Sequence, residues 1–306
     1  MKWRKLGLVY CPGEGLWWAR HYASFPTAIA TGPDLVRVYF TSLDQYNFGR
    51  GAYVDLNGRK PTEVVSRSET PILDIGPIGD FDDCGVNPFS VVSFNSQKLM
   101  YYQGWQRTVR APYAIFSGLA IDSGDSQFRK WARIPVLERT NDEPHIRGAP
   151  FVIAENDKLS MWYVSSSEWT GRGEHLHYRI SVRHAVSTDG IRWITHPHIC
   201  LSPAPGEYAI GRPVVLKEQG LYRMWYSIRS FHRPYTIGYA ESRNGIEWTR
   251  MDGEAGISQS DSGWDSEMVC YGYVIRLGGQ LTMFYNGNRH GATGFGCAVL
   301  EKEPVS

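Results

Sequence analysis

One motif recurs five times along the 306 residues of this chain, and it constrains the fold more than any other feature. It is a short aromatic strand built around Tyr or Phe, and its copies start about 60 residues apart. They read VYFT from Val38, MYYQ from Met100, MWYV from Met161, MWYS from Met224 and MFYN from Met283. A repeat of this size that fills the chain indicates radial architecture, with one small sheet per repeat.

Each copy follows a second apolar run that opens at or near Pro, which a strand tolerates at its first residue. These runs are FPTAIA from Phe25, NPFSVV from Asn87, APFVIA from Ala149, RPVVL from Arg212 and YGYVI from Tyr271. A third strand follows each motif, and twice it runs into a hairpin signal, STDGIRW or SRNGIEW, whose Trp opens a fourth strand. Four antiparallel strands make a propeller blade.

The fifth repeat lacks a fourth strand of its own. The N-terminal segment KWRKLGLV, from Lys2, resembles the fourth strand KWARIPVL, from Lys130. We therefore predict an all-β, five-bladed β-propeller with four antiparallel strands per blade, in which the N-terminal strand closes the last blade. Trp3 should then lie beside the strand that contains Phe295 to Val299. Residues 1–306 are expected to form a single propeller domain.

Composition and charge narrow the classes of partner. A formal net charge of +1 predicts no nucleic-acid groove and no anionic membrane partner. No apolar run is long enough to span a membrane, and no signal segment opens the chain. The five cysteines are widely spaced without a Cys-x-x-Cys pair, which indicates reduced thiols in a cytoplasmic protein and no zinc site. We expect no metal and no cofactor.

Acidic residues precede the first strand in four of the five repeats, where alternation of strand direction brings them to one face near the axis. They are Asp82, Asp83, Asp142, Glu143, Glu207, Asp265 and Glu267, with His21 at the corresponding place in the first repeat. Convergence on a central funnel predicts a functional site. The alternative is structural, because short acidic residues commonly accept backbone N–H groups at turns and strand entries.

Loops that leave the second strand open on the same face and carry cationic and aromatic residues. They include Arg50, Trp105, Arg107, Arg110, Trp169, Arg172, His175, His177, Arg179, Arg229, His232, Arg233, Asn288, Arg289 and His290. Trp stacks on the C–H face of a sugar, carboxylates accept hydroxyl donors, and Arg pairs with phosphate or carboxylate. This combination suits a polyhydroxylated ligand that carries an anionic group.

The tracts FDDCGVNP, GEYAIGRP, SEMVCYG and YNGN, together with the five Tyr-rich repeats, resemble the five-bladed propellers of the arabinanase, levansucrase and invertase superfamily. More narrowly, they are similar to little-characterised bacterial members known only as glycosidase-like. The resemblance implies a glycoside-active funnel with a general acid, a carboxylate base or nucleophile, and a third acid that tunes the first.

The chain departs from that superfamily at one informative place. Its better-known members carry an Asp directly before the first-strand proline of blade one, and a Glu close to the equivalent proline of a later blade. Here the residues before the prolines are Phe25, Asn87, Ala149 and Arg212. The family's catalytic positions therefore do not transfer.

The sequence predicts a hydrolase or transglycosidase of carbohydrate metabolism whose acids come from the upstream set. Asp83 is the predicted base or nucleophile, Glu267 the general acid, and Glu207 the residue that modulates it. The predicted substrate contacts are His21, Asp82, Trp105, Glu143, Arg147, His177, Arg179, Arg212, Tyr271 and Asn288.

Two alternatives stay open at this point. An inverting glycoside phosphorylase would hold phosphate with Arg and His and would need only one protein acid. A non-catalytic carbohydrate-binding propeller would explain why acids are absent before the prolines.

Overall fold

The structure is a computed structural model that describes residues 1–13, 15–171 and 176–302. Arg172 and His175, both members of the loop set, lie outside the described residues. The described strands pair into five antiparallel groups of four, which are the blades of the propeller. The all-β propeller fold is therefore confirmed.

The blades follow one another along the chain. Blade one comprises β2 (His21–Gly32), β3 (Leu35–Leu43), β4 (Gly49–Asn57) and β5 (Lys60–Arg67). Blade two comprises β6 (Gly85–Phe94), β7 (Gln97–Gln106), β8 (Ala114–Gly124) and β9 (Gln127–Lys130). Blade three comprises β10 (Ile146–Glu155), β11 (Lys158–Thr170), β12 (His177–Ser187) and β13 (Ile194–Leu201). Blade four comprises β14 (Glu207–Glu218), β15 (Leu221–Ser230), β16 (Thr236–Ser242) and β17 (Thr249–Arg250). Blade five comprises β18 (Cys270–Leu277), β19 (Gln280–Asn286), β20 (Phe295–Lys302) and β1 (Lys2–Tyr10).

The N-terminal strand closes the last blade, as predicted. β1 runs antiparallel to β20, with Trp3 opposite Leu300 and Tyr10 opposite Phe295. Blade five in turn contacts blade one, because β18 and β19 pack on β2. Pairing the first segment of the chain with the last protects the edge of β20 and joins the two ends of the ring.

The first strand of every blade lies around the axis. β2, β6, β10, β14 and β18 each contact the first strands of both neighbouring blades. Their apolar runs are almost continuous because adjacent blades cover both faces of each sheet. Side chains that leave these strands towards the axis therefore share one central space.

The aromatic motif of the second strand joins neighbouring blades. Tyr101 in blade two donates to the carbonyl of Gly190 in the STDG turn of blade three at 2.8 Å, and Trp193 packs edge-on against its ring. Trp162 in blade three donates in the same way to Gly245 in the SRNG turn of blade four at 2.7 Å. These two hairpin turns are thus packing elements between blades.

Among the described residues, no helix is both long and apolar enough to cross a membrane. All five cysteines are free thiols, and three of them, Cys200, Cys270 and Cys297, are buried.

Candidate functional site

A cavity of about 470 Å³ opens at the centre of the ring, a size typical of small-molecule sites. Its wall is built by the first strands, the second strands and the loops that follow them. The aromatic members of the described wall are Tyr22, Phe25, Phe89, Trp105, Tyr113, Tyr235 and Tyr271. The polar and cationic members are Ser24, Thr41, Asn87, Gln103, Arg107, Arg212, Arg229 and His290.

One position of the repeat supplies a wall residue from every blade. It directly precedes a Pro or Gly that lies inside the first strand, and not at its opening as the sequence predicted. The residues at this position are Phe25, Asn87, Ala149, Arg212 and Tyr271. Each of the five first strands has a register shift at this point, and four of the five residues have φ between 48° and 61°. Such left-handed backbone is strained for a residue with a side chain, and strain of this kind clusters at functional sites.

Hydrogen bonds from the preceding blade hold the strained residues in place. The amide N–H of Phe25 donates to Asn286 at 2.8 Å, that of Ala149 to Gln103 at 3.1 Å, and that of Tyr271 to Ser227 at 2.8 Å. The accepting side chain always comes from the second strand of the blade before. The wall of the cavity is therefore fixed by contacts between blades.

Arg212 lies in this wall as a buried cation, with 3% of its surface exposed. It donates to the carbonyls of Tyr271 at 2.8 Å and Pro26 at 2.6 Å and to the hydroxyl of Thr27 at 2.7 Å. Its Nε has no partner. Burial lowers the pKa of the Arg212 guanidinium to about 9, which leaves it charged at neutral pH.

Arg229 and His290 lie close to each other beside the Tyr235 ring. The Arg229 guanidinium is 5.3 Å from the centre of that ring, and the His290 ring is 4.6 Å from it. Arg229 Nε and His290 Nε2 are buried without a hydrogen-bond partner. Burial and, after it, the charge of Arg229 lower the pKa of His290 to about 4, so that the imidazole is neutral at pH 7.

No Asp or Glu among the described residues belongs to the cavity wall, in contrast to the carboxylate-lined funnel expected from the sequence. The reason lies in the second strand. Asp82 accepts a hydrogen bond from the Tyr102 hydroxyl at 2.8 Å and pairs with Lys130 at 2.7 Å. The Asp82 carboxylate is therefore bound by two partners within its own blade, and it does not face the axis.

The same arrangement recurs, and we call these groups the acid–tyrosine clusters. They consist of Asp82, Tyr102 and Lys130 in blade two; Glu143, Tyr163, Arg147 and Arg183 in blade three; Glu207, Arg250, Asp252 and Tyr226 in blade four; and Asp265, Tyr285 and Lys5 in blade five. Blade one has Phe40 at the tyrosine position and His21 at the place of the entry acid. Asp82, Glu143 and Asp265 accept the tyrosine hydroxyl directly. In blade four Tyr226 donates to Asp252, and Arg250 joins Asp252 to Glu207. Each of the four entry acids therefore has partners within the protein, as the structural interpretation expects.

The three predicted catalytic carboxylates are not brought together around the cavity. Asp83 accepts the N–H of Gly79 in an exposed turn at 2.8 Å. Glu207 belongs to the blade-four cluster, where it holds Arg250 at 2.9 and 3.1 Å. Glu267 is exposed, and its backbone N–H donates to Asn288. Their catalytic roles stay a prediction, to which this geometry adds no support.

Of the predicted substrate contacts, Trp105, Arg212 and Tyr271 line the cavity. The others are placed elsewhere: Asp82, Glu143 and Arg147 in acid–tyrosine clusters; His21 against Asn47; His177 stacked on Tyr208; Arg179 near Pro203 and Glu168; and Asn288 bound to the Glu267 and Gly263 backbone. Wall residues that the prediction did not select include Phe25, Asn87, Gln103 and Tyr235. Phe25 and Asn87 directly precede Pro26 and Pro88, and this position in the repeat is the sequence signal that could have identified them as wall residues.

Comparison with known proteins places the fold. No family model matches the chain. A solved glycoside hydrolase superposes with a TM-score of 0.75 at 20% identity, covering 99% of this chain and 92% of its own. A thermostable family-43 glycoside hydrolase gives 0.68 at 16%, covering 95% and 91%. A structure from work on the GH130 family of mannoside phosphorylases, which contains glycoside hydrolases that target β-1,2 mannosidic linkages in Candida mannan, gives 0.68 at 15%, covering 99% and 95%. At these identities the likeness is one of fold.

Sequence similarity is much stronger to a pair of mycobacterial proteins. The uncharacterized protein Rv1502 of Mycobacterium tuberculosis strain H37Rv is 34% identical over 303 residues, which cover 98% of this chain and all of the relative. The uncharacterized protein MT1551 of strain CDC 1551 matches to the same extent. The matched region spans nearly the whole of this chain at more than 30% identity, and the chain therefore belongs to the family of Rv1502 and MT1551.

Proposed function

We propose that this propeller is a glycoside-active protein whose central cavity binds a sugar carrying an anionic group. One observation supports the proposal above the others. The described wall combines aromatic rings, amide side chains and guanidinium groups, and it contains no carboxylate that would neutralise those guanidinium groups. Aromatic faces suit the C–H face of a sugar, amides suit its hydroxyls, and arginine suits phosphate or carboxylate.

Trp105 is the best-placed aromatic platform for a sugar ring. Its indole lies against Gly85, where an added Cβ would be 2.0 Å from the indole Nε1. Only glycine leaves room for the ring in this orientation. Asn87 and Gln103, also in the wall, offer amide groups for sugar hydroxyls.

The chemistry carried out on the sugar is the open part of the proposal. Hydrolysis by the common mechanism needs two carboxyl groups on either side of the glycosidic bond, and the described wall supplies neither. Phosphorolysis is the second candidate function, because Arg107, Arg212 and Arg229 with His290 provide groups that suit inorganic phosphate. The single acid that this reaction needs would have to come from outside the described wall. The hydrolase assignment to Asp83, Glu207 and Glu267 is kept as a separate hypothesis.

Calorimetric titration tests binding. Glucuronate and glucose 6-phosphate, as anionic sugars, are expected to bind the wild-type protein, and glucose to bind more weakly. Trp105→Ala should weaken binding by at least tenfold through loss of the stacking face. Trp131→Ala, at a half-exposed tryptophan outside the cavity, is the matched control and should bind normally. Failure of every anionic sugar to bind would contradict the proposal.

A product assay separates the possible reactions. The protein is incubated with a panel of glycosides, with and without inorganic phosphate. Phosphate-dependent release of a sugar 1-phosphate identifies phosphorolysis, and phosphate-independent release of free sugar identifies hydrolysis. In the second case Asp83→Asn and Glu267→Gln should abolish turnover in a folded protein, and retained activity in both would refute their catalytic assignment. Binding without bond cleavage identifies a carbohydrate-binding propeller.

A further inference from the structure

We infer that three nitrogen atoms of the cavity, Nε of Arg212, Nε of Arg229 and Nε2 of His290, form a subsite for a phosphate group. This rests on the proposed function, since it names the anionic group that the ligand of the same cavity carries. The shared chemistry is a phosphate, either a monoester on the sugar or inorganic phosphate that enters separately.

All three atoms are buried without a hydrogen-bond partner, and all three belong to residues of the cavity wall. The ring nitrogens of His145, Trp193 and Trp225 are also without a partner, but these residues lie outside the described wall. Five charged side-chain atoms among the described residues are buried without a hydrogen bond. Three of them have an ion-pair partner: Lys130 lies 2.7 Å from Asp82, and the Arg147 and Glu143 atoms lie 3.3 Å apart. The remaining two are the Nε atoms of Arg212 and Arg229. An unmet buried donor costs about 1–3 kcal/mol, so a ligand that accepts from it has a large advantage.

Two tyrosines, Tyr235 and Tyr271, connect the three groups. The Tyr235 ring contacts both the Arg229 guanidinium and the His290 ring. The carbonyl of Tyr271 accepts from Arg212, and the ring of Tyr271 is 6.2 Å from His290. The three groups therefore border one part of the cavity, which all of them line.

Contacts within the protein position each of the three groups without a ligand. Arg212 is fixed by two carbonyls and a hydroxyl. Arg229 lies above Gly211, where an added Cβ would be 3.3 Å from Nη2. His290 has φ 62°, and Ser24 donates to its carbonyl at 2.7 Å, which pins this strained turn. Preorganised donors of this kind are what an anion site requires.

Charge favours phosphate over carboxylate. A phosphate monoester carries about −1.5 to −2 charges at pH 7 and three terminal oxygens. These match two guanidinium groups and the Nε2–H tautomer of a neutral His290, one donor for each oxygen. A carboxylate has one charge and two oxygens and would leave part of the set unmet. Arginine also forms planar, charge-assisted hydrogen bonds to phosphate.

The test measures binding of named probes to the full chain by ³¹P NMR and calorimetry. Inorganic phosphate, glucose 1-phosphate and glucose 6-phosphate are compared with glucuronate and glucose. The ³¹P resonance of at least one phosphate probe should broaden on addition of wild-type protein, and that probe should bind at least tenfold more tightly than glucuronate. Arg229→Met should weaken that binding at least tenfold, whereas Arg129→Met, at an exposed arginine on β9, should not.

The possible outcomes distinguish failure of the phosphate subsite from failure of the proposed function. Tight binding of glucuronate without phosphate binding overturns the phosphate subsite and leaves the proposed function standing. Binding of inorganic phosphate alone supports the subsite, and it contradicts the proposal that the sugar itself carries the anionic group. Absence of any ³¹P broadening with the wild-type protein overturns the subsite, irrespective of how the variants fold.

Discussion

The central cavity and the acid–tyrosine clusters are built from the same repeat, and both contain buried charges, yet they differ in how those charges are paired. In the blade-five cluster, Asp265 lies 2.6 Å from Lys5 and accepts from Tyr285 at 2.9 Å. In the cavity, Arg212 and Arg229 have no carboxylate partner among the described residues. The recurrence of charged residues around an axis is therefore not sufficient evidence of a binding site. A charged side chain that already has an oppositely charged partner is structural, and one without such a partner is available to a ligand.

The two regions should also respond differently to mutation. Removing one member of a buried pair leaves an uncompensated charge and destabilises a protein strongly. Removing an unpaired buried charge relieves the cost of its desolvation, which can offset the packing that is lost. Binding sites commonly keep such destabilising groups because function requires them.

Asp265→Ala should lower the free energy of unfolding by about 3 kcal/mol, because Lys5 and the buried Tyr285 hydroxyl both lose their acceptor. Denaturant unfolding measures the change. The matched control is Glu267→Gln, two residues away and exposed, which should change the free energy of unfolding by less than about 0.5 kcal/mol. Equal effects of the two substitutions would show that the entry acids are not structural.

Acidification should destabilise the protein through His290 between pH 6.5 and about 4. Burial holds the pKa of His290 at about 4 in the folded state, against 6.5 for the free side chain, so only the unfolded state takes up a proton in this window. Folded-state stability therefore falls as the pH falls, by up to about 3 kcal/mol. His290→Gln should flatten the profile of unfolding free energy against pH.

Exposed His232→Gln provides the control for that measurement and should leave the profile unchanged. Part of the acid sensitivity will remain in His290→Gln, because burial against Trp162 also lowers the pKa of His184 to about 4. An identical slope in wild type and His290→Gln would show that His290 is not buried as neutral imidazole.

Arg229→Met should change the free energy of unfolding by less than about 1 kcal/mol, in either direction, since the guanidinium has no charged partner to leave behind. The methionine can lie against the same tyrosine rings. Thermal unfolding without ligand measures this. A loss as large as that of Asp265→Ala would mean that Arg229 is a structural cation, and the contrast between the two regions would fail.

The sequence predicts much of the architecture because the signals that carry it are local. The five aromatic motifs, the prolines of the first strands and the Asn-Gly and Asp-Gly turns each act within a few residues. The pairing of β1 with β20 is long-range, and it was predictable because the segment after Lys2 repeats the pattern of an existing fourth strand. The expectation of a single domain stays a prediction.

The candidate site was only partly accessible to the same reasoning. Trp105, Arg212 and Tyr271 line the cavity, and their contact with substrate stays a prediction. Asp82 and Glu143 instead accept a tyrosine hydroxyl inside their blades, and Glu207 pairs with Arg250, partners that no local pattern indicated. The direction of an entry acid depends on a hydroxyl some 20 residues later in the chain and on a cation from another strand.

Local pattern alone thus determined the strands and their grouping into blades, because backbone hydrogen bonding and apolar periodicity follow from neighbouring residues. The fourth-strand pattern after Lys2 indicated the long-range closure of the ring. Tertiary structure decided which polar groups face the axis. It did so through the left-handed bulges before the prolines and through competition between the cavity and the blade interior for each charged side chain. That competition is settled by partners that meet only when the ring has closed.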